Sequence, residues 1–369
     1  MPNSTANTPM PARRPRPRSP TSSAVQAAEV ASARPFDSSD LAELFDRFAD
    51  HPALLLAVSG GPDSMGLLAA VARWRQARPD GPALHVATVD HAIRPESADE
   101  CAVVEAAARH FDLPAATLVW HGVKPKAGLQ REARAARYRL LAAEAKRVGA
   151  GAIVTAHTIS DQAETVLMRF LRGSGPLGLK AMAEITERDG VAIIRPFLWE
   201  TGDRLKATAL AAGLTPVQDP SNIDDRFTRV RLRKLIAAMA GEGLDIERLA
   251  TFAGRMRLLD EALRHQAAKL AQASLKPTIV PGTQVFEAQS WLAEPLATVQ
   301  MLLSRAIEEV GDSEVAERLA AIEELSVQVL MALAEGRAAK TTLRGAVVAV
   351  TAEGRVIVSR EPMRRAARE

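Results

Sequence analysis

Cysteine is nearly absent from this chain, and that absence narrows the chemistry first. Cys101 is the only one among 369 residues, which excludes an internal disulfide, a cysteine-built zinc site and an iron–sulfur cluster. So little cysteine suits a reducing, cytoplasmic compartment. Long hydrophobic runs are lacking as well. Apolar stretches such as Leu54 to Val58 and Ala346 to Val350 fall far short of the ~20 residues that cross a bilayer, so no membrane partner is expected. No His, Cys and carboxylate set has a zinc spacing, and His51, His85, His110, His121 and His265 stand outside any motif and read as structural or exposed. A global excess of charge is missing too. The net charge is +3, but the first 35 residues hold five arginines against the single acid Glu29, leaving −1 for the rest. A nucleic-acid partner must therefore be argued from local clusters.

What is present is a globular chain with a 47% hydrophobic content, long enough for two or three domains. Residues 1–35, rich in Pro, Ser, Ala and Arg, cannot bury enough apolar surface to offset the entropy of ordering, and are expected to be a disordered tail. They faintly resemble an organellar transit segment, but read best as a dispensable extension. Short apolar runs at Leu54 to Val58, Leu84 to Val89, Ala116 to Trp120, Ala152 to Thr155 and Ala192 to Ile194 predict strands, and amphipathic stretches between most of them predict helices. One helix is expected after a capping box at Ser97-Ala98-Asp99-Glu100, another over Leu129 to Arg147. The alternation predicts an α/β fold, a doubly wound parallel sheet. After a loop at Thr215 to Phe227 the character turns helical, with segments at Arg229 to Ala240, Leu244 to Ser274, Ser290 to Val310 and Ser313 to Ala334. A hairpin over Gly345 to Ser359 closes the chain. An amphipathic helical half can pack within one chain or between two, so a homodimer is compatible with the pattern.

The sharpest local signal is Ser59-Gly60-Gly61-Pro62-Asp63-Ser64, directly after the first predicted strand. In open α/β sheets that turn is where phosphate chemistry is found. Gly60 and Gly61 let main-chain N–H groups approach an anion, the following helix adds its positive end, and Ser59 and Ser64 offer hydroxyls. The loop lacks the lysine of the common P-loop and the spacing of G-x-G-x-x-G. A second cluster, Thr155 to Thr165, follows a later strand. With Ser160 as N-cap, Asp161 and Glu164 share one face of the first helical turn, where the helix dipole alone would account for two carboxylates.

S-G-G-P-D-S resembles the pyrophosphate loop of the N-type ATP pyrophosphatases (the PP-loop or adenine nucleotide alpha hydrolase-like fold), which split ATP between the α and β phosphates. The second cluster resembles the A-H-x-x-D-D-x-x-E-T motif of tRNA(Ile)-lysidine synthetases, and other segments agree in the same order. Val89-Asp90-His91 with Arg94 resembles that family's second-strand motif. Gly128-Leu129, Ala133-Arg134 and Arg137-Tyr138 resemble its G-x-x-x-x-A-R-x-x-R-Y helix. Arg172 to Leu179 resembles R-G-[ST]-G-x-x-G-L, Arg195 to Leu198 resembles R-P-[LF]-L, and Asp219 to Asn222 resembles D-x-S-N. The agreement runs from about Leu54 to Leu235. Three positions depart: Thr158 where a second histidine is frequent, Ser160 for the first paired aspartate, and Val230 for an asparagine.

The resemblance implies that ATP with Mg2+ adenylates the C2 oxygen of the wobble cytidine in tRNA(Ile) bearing a CAU anticodon, and that L-lysine then displaces AMP to form lysidine. It implies ATP binding by Ser59, Gly60, Gly61, Pro62, Asp63 and Ser64, with Asp63 facing the magnesium. Arg137 would neutralise charge at the α-phosphate, His157 would lie beside the adenylated oxygen, and Asp161 with Glu164 would receive the lysine ammonium. It divides the chain into the tail (1–35), a catalytic domain (36–225), a basic linker (226–243) and a mainly helical tRNA-docking domain (244–369). Arg226, Arg229, Arg231, Arg233 and Lys234 supply the local phosphate-binding signal in that linker, although a solvated basic face explains such a run equally well. Rival readings are a tRNA thiolase, an amidating ligase, or an inactive nucleotide- or RNA-binding protein of the same fold.

Overall fold

Alternating apolar runs and amphipathic stretches become a parallel sheet flanked by helices. The computed structural model describes residues 33–93, 96–125, 127–217, 224–311 and 319–362. Contacts divide the chain into two units, residues 1–158 with 184–219, and residues 159–183 with 220–369.

The first unit begins with helix α1 (Ser38–Phe45), capped by Asp37, whose carboxylate accepts from the Ser39 and Asp40 amides. Arg34 binds Asp37 at 2.8 Å and Asp40 at 3.0 Å, so ordered contacts start within the segment read as a tail. Residues 1–32 lie outside the described residues, as do Arg94 and the Asp219 to Asn222 motif. There follow β1 (Ala53–Ala57), α2 (Pro62–Gln76), β2 (Ala83–Asp90), α3 (Ser97–His110), β3 (Ala115–Val119), α4 (Leu129–Arg147) and β4 (Ala152–Val154). The chain then enters the second unit through α5 (Ile159–Leu171) and α6 (Pro176–Leu179). It returns for β5 (Ile185–Arg188), β6 (Val191–Ile194) and α7 (Gly202–Ala211).

Strand order is β3-β2-β1-β4-β6-β5, parallel except for β5. Successive β1 side chains point to opposite faces: Leu54 and Leu56 pack with Leu67, Leu68 and Leu205, whereas Leu55 and Ala57 pack with Leu141 and Ala145 of α4. A strand buried on both faces reads as a continuous apolar run, as Leu54 to Val58 does. Because β2 and β3 extend to one side of β1 while β4 lies on the other, the winding reverses at β1 and β4. The carboxyl ends of these neighbours form the crevice where such sheets bind ligands. The Arg195 to Leu198 motif serves packing: Phe197 is wholly buried, with ring centroids 5.3 Å from Phe36 and 5.6 Å from Phe45, and Arg195 donates to Thr186 Oγ1 at 3.0 Å.

Both expected serine caps are displaced. Helix α3 starts at Ser97 itself, after Glu96, and the Ser97 hydroxyl donates to Asp90 Oδ1 at 2.6 Å, so tertiary structure claims the capping group. Helix α5 begins at Ile159, which puts Ser160 inside the first turn.

In the second unit, α8 (Thr228–Met239) and the 29-residue α9 (Ile246–Ser274) pack Leu232, Ile236, Leu249 and Ala253 against Ala163, Val166 and Leu167 of α5. Next come β7 (Leu275–Lys276), β8 (Thr283–Glu287), α10 (Leu296–Val310), α11 (Leu319–Ala334), β9 (Ala339–Leu343), β10 (Ala346–Val350) and β11 (Arg355–Arg360). The expected terminal hairpin is present as β10 and β11, but it forms the middle of an antiparallel sheet of order β7-β8-β11-β10-β9. Trp291, fully buried, anchors that core and donates from Nε1 to Ser274 Oγ at 3.2 Å. No helix among the described residues is long and apolar enough to cross a membrane.

Candidate active site

Three of the predicted clusters emerge at the carboxyl ends of adjacent strands in the first unit. The loop Ser59 to Ser64 leaves β1, His157 follows β4, and Asp90 with His91 ends β2. Gly60 has φ +83°, a left-handed conformation that favours glycine. Its carbonyl accepts from the Val217 amide at 2.9 Å. Gly61 stands at the N-cap of α2 without a side-chain cap and Pro62 follows, so the Asp63 and Ser64 amides lie at an uncapped, positive helix end. The Ser64 hydroxyl accepts from the Ser59 amide at 3.1 Å and donates to Gly61 O at 3.0 Å, which commits it to the loop; Ser59 is exposed.

Asp63 abuts a glycine that sequence reasoning missed. A Cβ on Gly202 would sit 2.9 Å from Asp63 Oδ1, so only glycine leaves the carboxylate its place beside the N-terminus of α7, whose dipole favours an anion. Thr155 opens the second predicted cluster, but sequence reasoning gave it no role. Its hydroxyl meets His157 Nδ1 at 2.8 Å and lies 3.4 Å from Ile194 O. With its one proton directed to that carbonyl, Thr155 accepts from Nδ1–H and so orients the imidazole of His157.

Arg137 lies on α4, partly buried, and among the described residues its guanidinium has no hydrogen bond or ion pair. Burial pushes its pKa down, the neighbouring Arg134 adds to that, and Tyr138 opposes it. A cation desolvated in this way gains from an anion beside it. His91 is held toward the neutral form by burial and then by Arg137. Asp90 is pushed down mainly by the Ser97 hydroxyl and the Ala92 amide, which accounts for the turn after β2.

In the second unit the structure joins two predicted sets that belong to different motifs. Asp161 Oδ1 accepts from Arg229 Nη1 at 2.6 Å, and Glu164 Oε1 accepts from Arg233 Nε at 3.0 Å and Nη2 at 2.8 Å. The Glu164 side chain is 1% exposed. Burial raises its pKa, with Asp161 adding to the rise, against the lowering influence of Arg233 and Arg229. Arg229 and Arg233, one turn apart, share a face, and Arg226 precedes the helix. Arg226 pairs with Asp224, Lys234 with Asp225, and Arg231 donates to the carbonyls of Asp225 and Arg226. Each of these five cations therefore has a partner within its unit. Of the three departing residues, Thr158 and Val230 are buried, at 2% and 7% exposure.

The PP-loop domain family matches residues 35–239. The tRNA(Ile)-lysidine synthase of Bradyrhizobium sp. (strain BTAi1) is 44% identical over 347 residues, covering 90% of this chain and 96% of that protein. The chain belongs to the tRNA(Ile)-lysidine synthase family. The synthase of Rhodopseudomonas palustris is also 44% identical, over 87% of this chain and 94% of its own. Among solved structures, the U34-tRNA thiolase of Methanococcus maripaludis superposes with a TM-score of 0.51 at 14% identity, covering 63% of this chain and 80% of that one. At that distance the likeness establishes a common fold. The PP-loop domain that spans residues 35–239 supports ATP binding.

Proposed function

We infer that this chain is an ATP-dependent ligase that joins lysine to C2 of the wobble cytidine in tRNA(Ile) with a CAU anticodon, forming lysidine and releasing AMP and pyrophosphate. The observation that carries the reading is 44% identity to tRNA(Ile)-lysidine synthases along nearly their whole length. The uncapped loop at the sheet's switch point supports it.

The chemistry follows from the site. The α2 amides and Ser59 receive the phosphates that leave as pyrophosphate. The cytidine O2 attacks the α-phosphorus, the bond to the β-phosphate oxygen breaks, and Arg137 offsets the charge that builds on the α-phosphate oxygens. In the second step the lysine amine bonds to C2, sheds a proton, and AMP departs with the former O2. His157, oriented by Thr155, places its imidazole at this centre. Among the described residues no group of three or more His, Cys, Asp or Glu could hold a metal. Asp63 would face a magnesium ion carried chiefly by ATP phosphates, where the ion would supply charge neutralisation. Asp161 and Glu164 hold lysine, the basic linker meets the tRNA backbone, and the work is cytoplasmic. The domains keep the assignment of a tail (1–35), a catalytic region (36–225), a basic linker (226–243) and a tRNA-docking region (244–369), with residues 159–183 packing beside the last.

Sulfur transfer is disfavoured because Cys101 is buried, 3.7 Å from Thr88 Oγ1, with its thiol pushed up by burial. The test is a single-turnover incubation of enzyme, labelled ATP and CAU-bearing tRNA(Ile), first without lysine and then with it. Label carried on the tRNA and released as AMP when lysine is added is expected. Release of AMP by ammonia or glutamine but not lysine would point to an amidating ligase, and no label on tRNA would point to a non-catalytic binder.

A further inference from the structure

Arginines from two elements of the first unit gather around the chain's only tyrosine. Arg134 of α4 and Arg188 of β5 both lie over the ring of Tyr138, with guanidinium carbons 5.2 and 4.9 Å from its centroid. Arg134 Nη2 donates to the Tyr138 hydroxyl at 3.4 Å. Tyr138 itself is buried, and so is Arg195, whose pKa burial pushes down, with Tyr138 opposing the shift and Arg134 adding to it. Like charges brought this close repel, so the fold must hold them on something. The negative face of the ring does so, and it fixes the planes of the two guanidinium groups.

Both side chains remain open to solvent, Arg188 at 42%. Among the described residues Arg134 has no ion pair, and Arg188 has one, from Nε to Asp189 at 3.8 Å, which is worth little at an exposed site. The linker is different, because each of its five cations already has a partner. A phosphate reaching the linker must compete with those partners, whereas one reaching Arg134 and Arg188 finds planar donors in place. Their position matters too. Arg134 precedes Arg137 by three residues, about 5 Å along α4 and toward the helix end that faces the crevice. An anion held there lies beside the centre where Arg137 meets the α-phosphate.

We propose that Arg134 and Arg188, stacked on Tyr138, clamp a backbone phosphate of the RNA next to the reacting nucleotide and so position its base. A phosphate contact of this kind carries no sequence information, but it sets the register in which the base enters the site. Both arginines are thus positioning residues. The proposal rests on the ligase reading for the identity of the RNA, while the contact can be measured without turnover.

The test uses the full chain with CAU-bearing tRNA(Ile) and with the isolated anticodon stem-loop of that tRNA. Affinity is measured by fluorescence anisotropy over a salt series, without ATP or lysine, for wild type, Arg134→Gln, Arg188→Gln and Arg78→Gln. Arg78, paired with Asp46, is the control and should change nothing. Arg134→Gln and Arg188→Gln should each weaken both RNAs on the order of threefold to tenfold and lower the slope of log K against log salt by about one, as one lost phosphate contact does. Arg188→Lys, which keeps the charge but not the plane, should hold the slope and fall between wild type and Arg188→Gln in affinity. In steady-state assays the KM for tRNA should rise by the same factor, with kcat and the KM for ATP unaltered. An unaltered salt slope in either glutamine variant overturns the clamp. So does weakening seen with whole tRNA but not with the stem-loop, which would place the contact away from the anticodon. A raised KM for ATP with RNA affinity intact would give these arginines to the nucleotide, and the proposal would be wrong. RNA binding that depends on both arginines without any lysine product would sink the ligase reading and leave the clamp standing.

Discussion

Substituting Gly66 by alanine sets two opposed effects against each other. Helix α2, which carries the nucleotide loop at its start, packs on α7 so closely that a Cβ on Gly66 would lie 2.3 Å from Leu205 O and 2.6 Å from Leu205 C. Carbon and its neighbours prefer about 3.5–4.0 Å, so the helices must part by roughly an ångström. The obstruction is backbone, which cannot rotate away as a side-chain end would. Overpacking of this kind costs about 1–3 kcal/mol, here toward the upper end. Alanine in a helix interior returns about 0.8–1.0 kcal/mol relative to glycine. A net loss of about 2 kcal/mol is expected, or roughly 4–8 °C in Tm for a unit of this size. Scanning fluorimetry measures the midpoint, and hydrogen exchange of α2 and α7 amides locates the loss. Gly241→Ala, with nothing within 4 Å of its Cβ, is the control and should be neutral. If Gly66→Ala matched or exceeded the parent in stability, the close approach of α2 and α7 would be refuted.

Three further outcomes follow from named contacts. Gly202→Ala should raise the KM for ATP severalfold with little change in Tm, because the new methyl presses on Asp63 Oδ1 at 2.9 Å; a drop in Tm with KM unchanged would remove that role. Thr155→Val, similar in shape at a 2% exposed position, should lower kcat by on the order of tenfold to a hundredfold through loss of His157 orientation, leaving KM for ATP unaltered; unaltered kcat would show that the bond is not needed. Asp260 is buried, which alone would raise its pKa, but Lys180 at 2.6 Å and Arg264 at 2.8 Å together lower it. A lowered folded pKa contributes stability that is present above the unfolded value and lost as pH falls through the folded one. Asp260→Asn should therefore destabilise the second unit by about 1–3 kcal/mol at pH 7, discounted because both cations are partly exposed, and by progressively less toward acid. Urea melts from pH 7 to pH 3 with a constant difference would contradict this.

The sheet was legible because β1 is buried on both faces and so appears as Leu54 to Val58 without interruption, while α4 occupies the expected Leu129 to Arg147. The serine caps were misplaced because a hydroxyl near a helix start has other suitors; Ser97 goes to Asp90. β7, β8 and β9 escaped notice since Ala339 to Leu343 and Thr283 to Glu287 are short, polar and half-exposed, with only Phe286 deeply buried. Nothing local marks residues 159–183 as belonging with the C-terminal unit, which depends on Ala163 and Val166 meeting Leu232 and Leu249. In the candidate site, Ser59 to Ser64 declared itself by position and glycine content. Gly202 did not, since its reason is an approach by Asp63 from far along the chain. The pairing of Arg229 with Asp161 was equally hidden, for the two were read as partners of different ligands and stand 68 residues apart.

The central claim is that this chain joins lysine to the wobble cytidine by way of an adenylate. It is tested most directly by digesting CAU-bearing tRNA(Ile), after incubation with enzyme, lysine and Mg-ATP, and weighing the wobble nucleoside by mass spectrometry. Cytidine should gain the mass of one lysine less one water, in a reaction that needs ATP and is lost in Asp63→Ala, while methionine tRNA with the same anticodon stays unmodified. An unchanged cytidine, or one altered by sulfur or an amide nitrogen instead, would contradict the account.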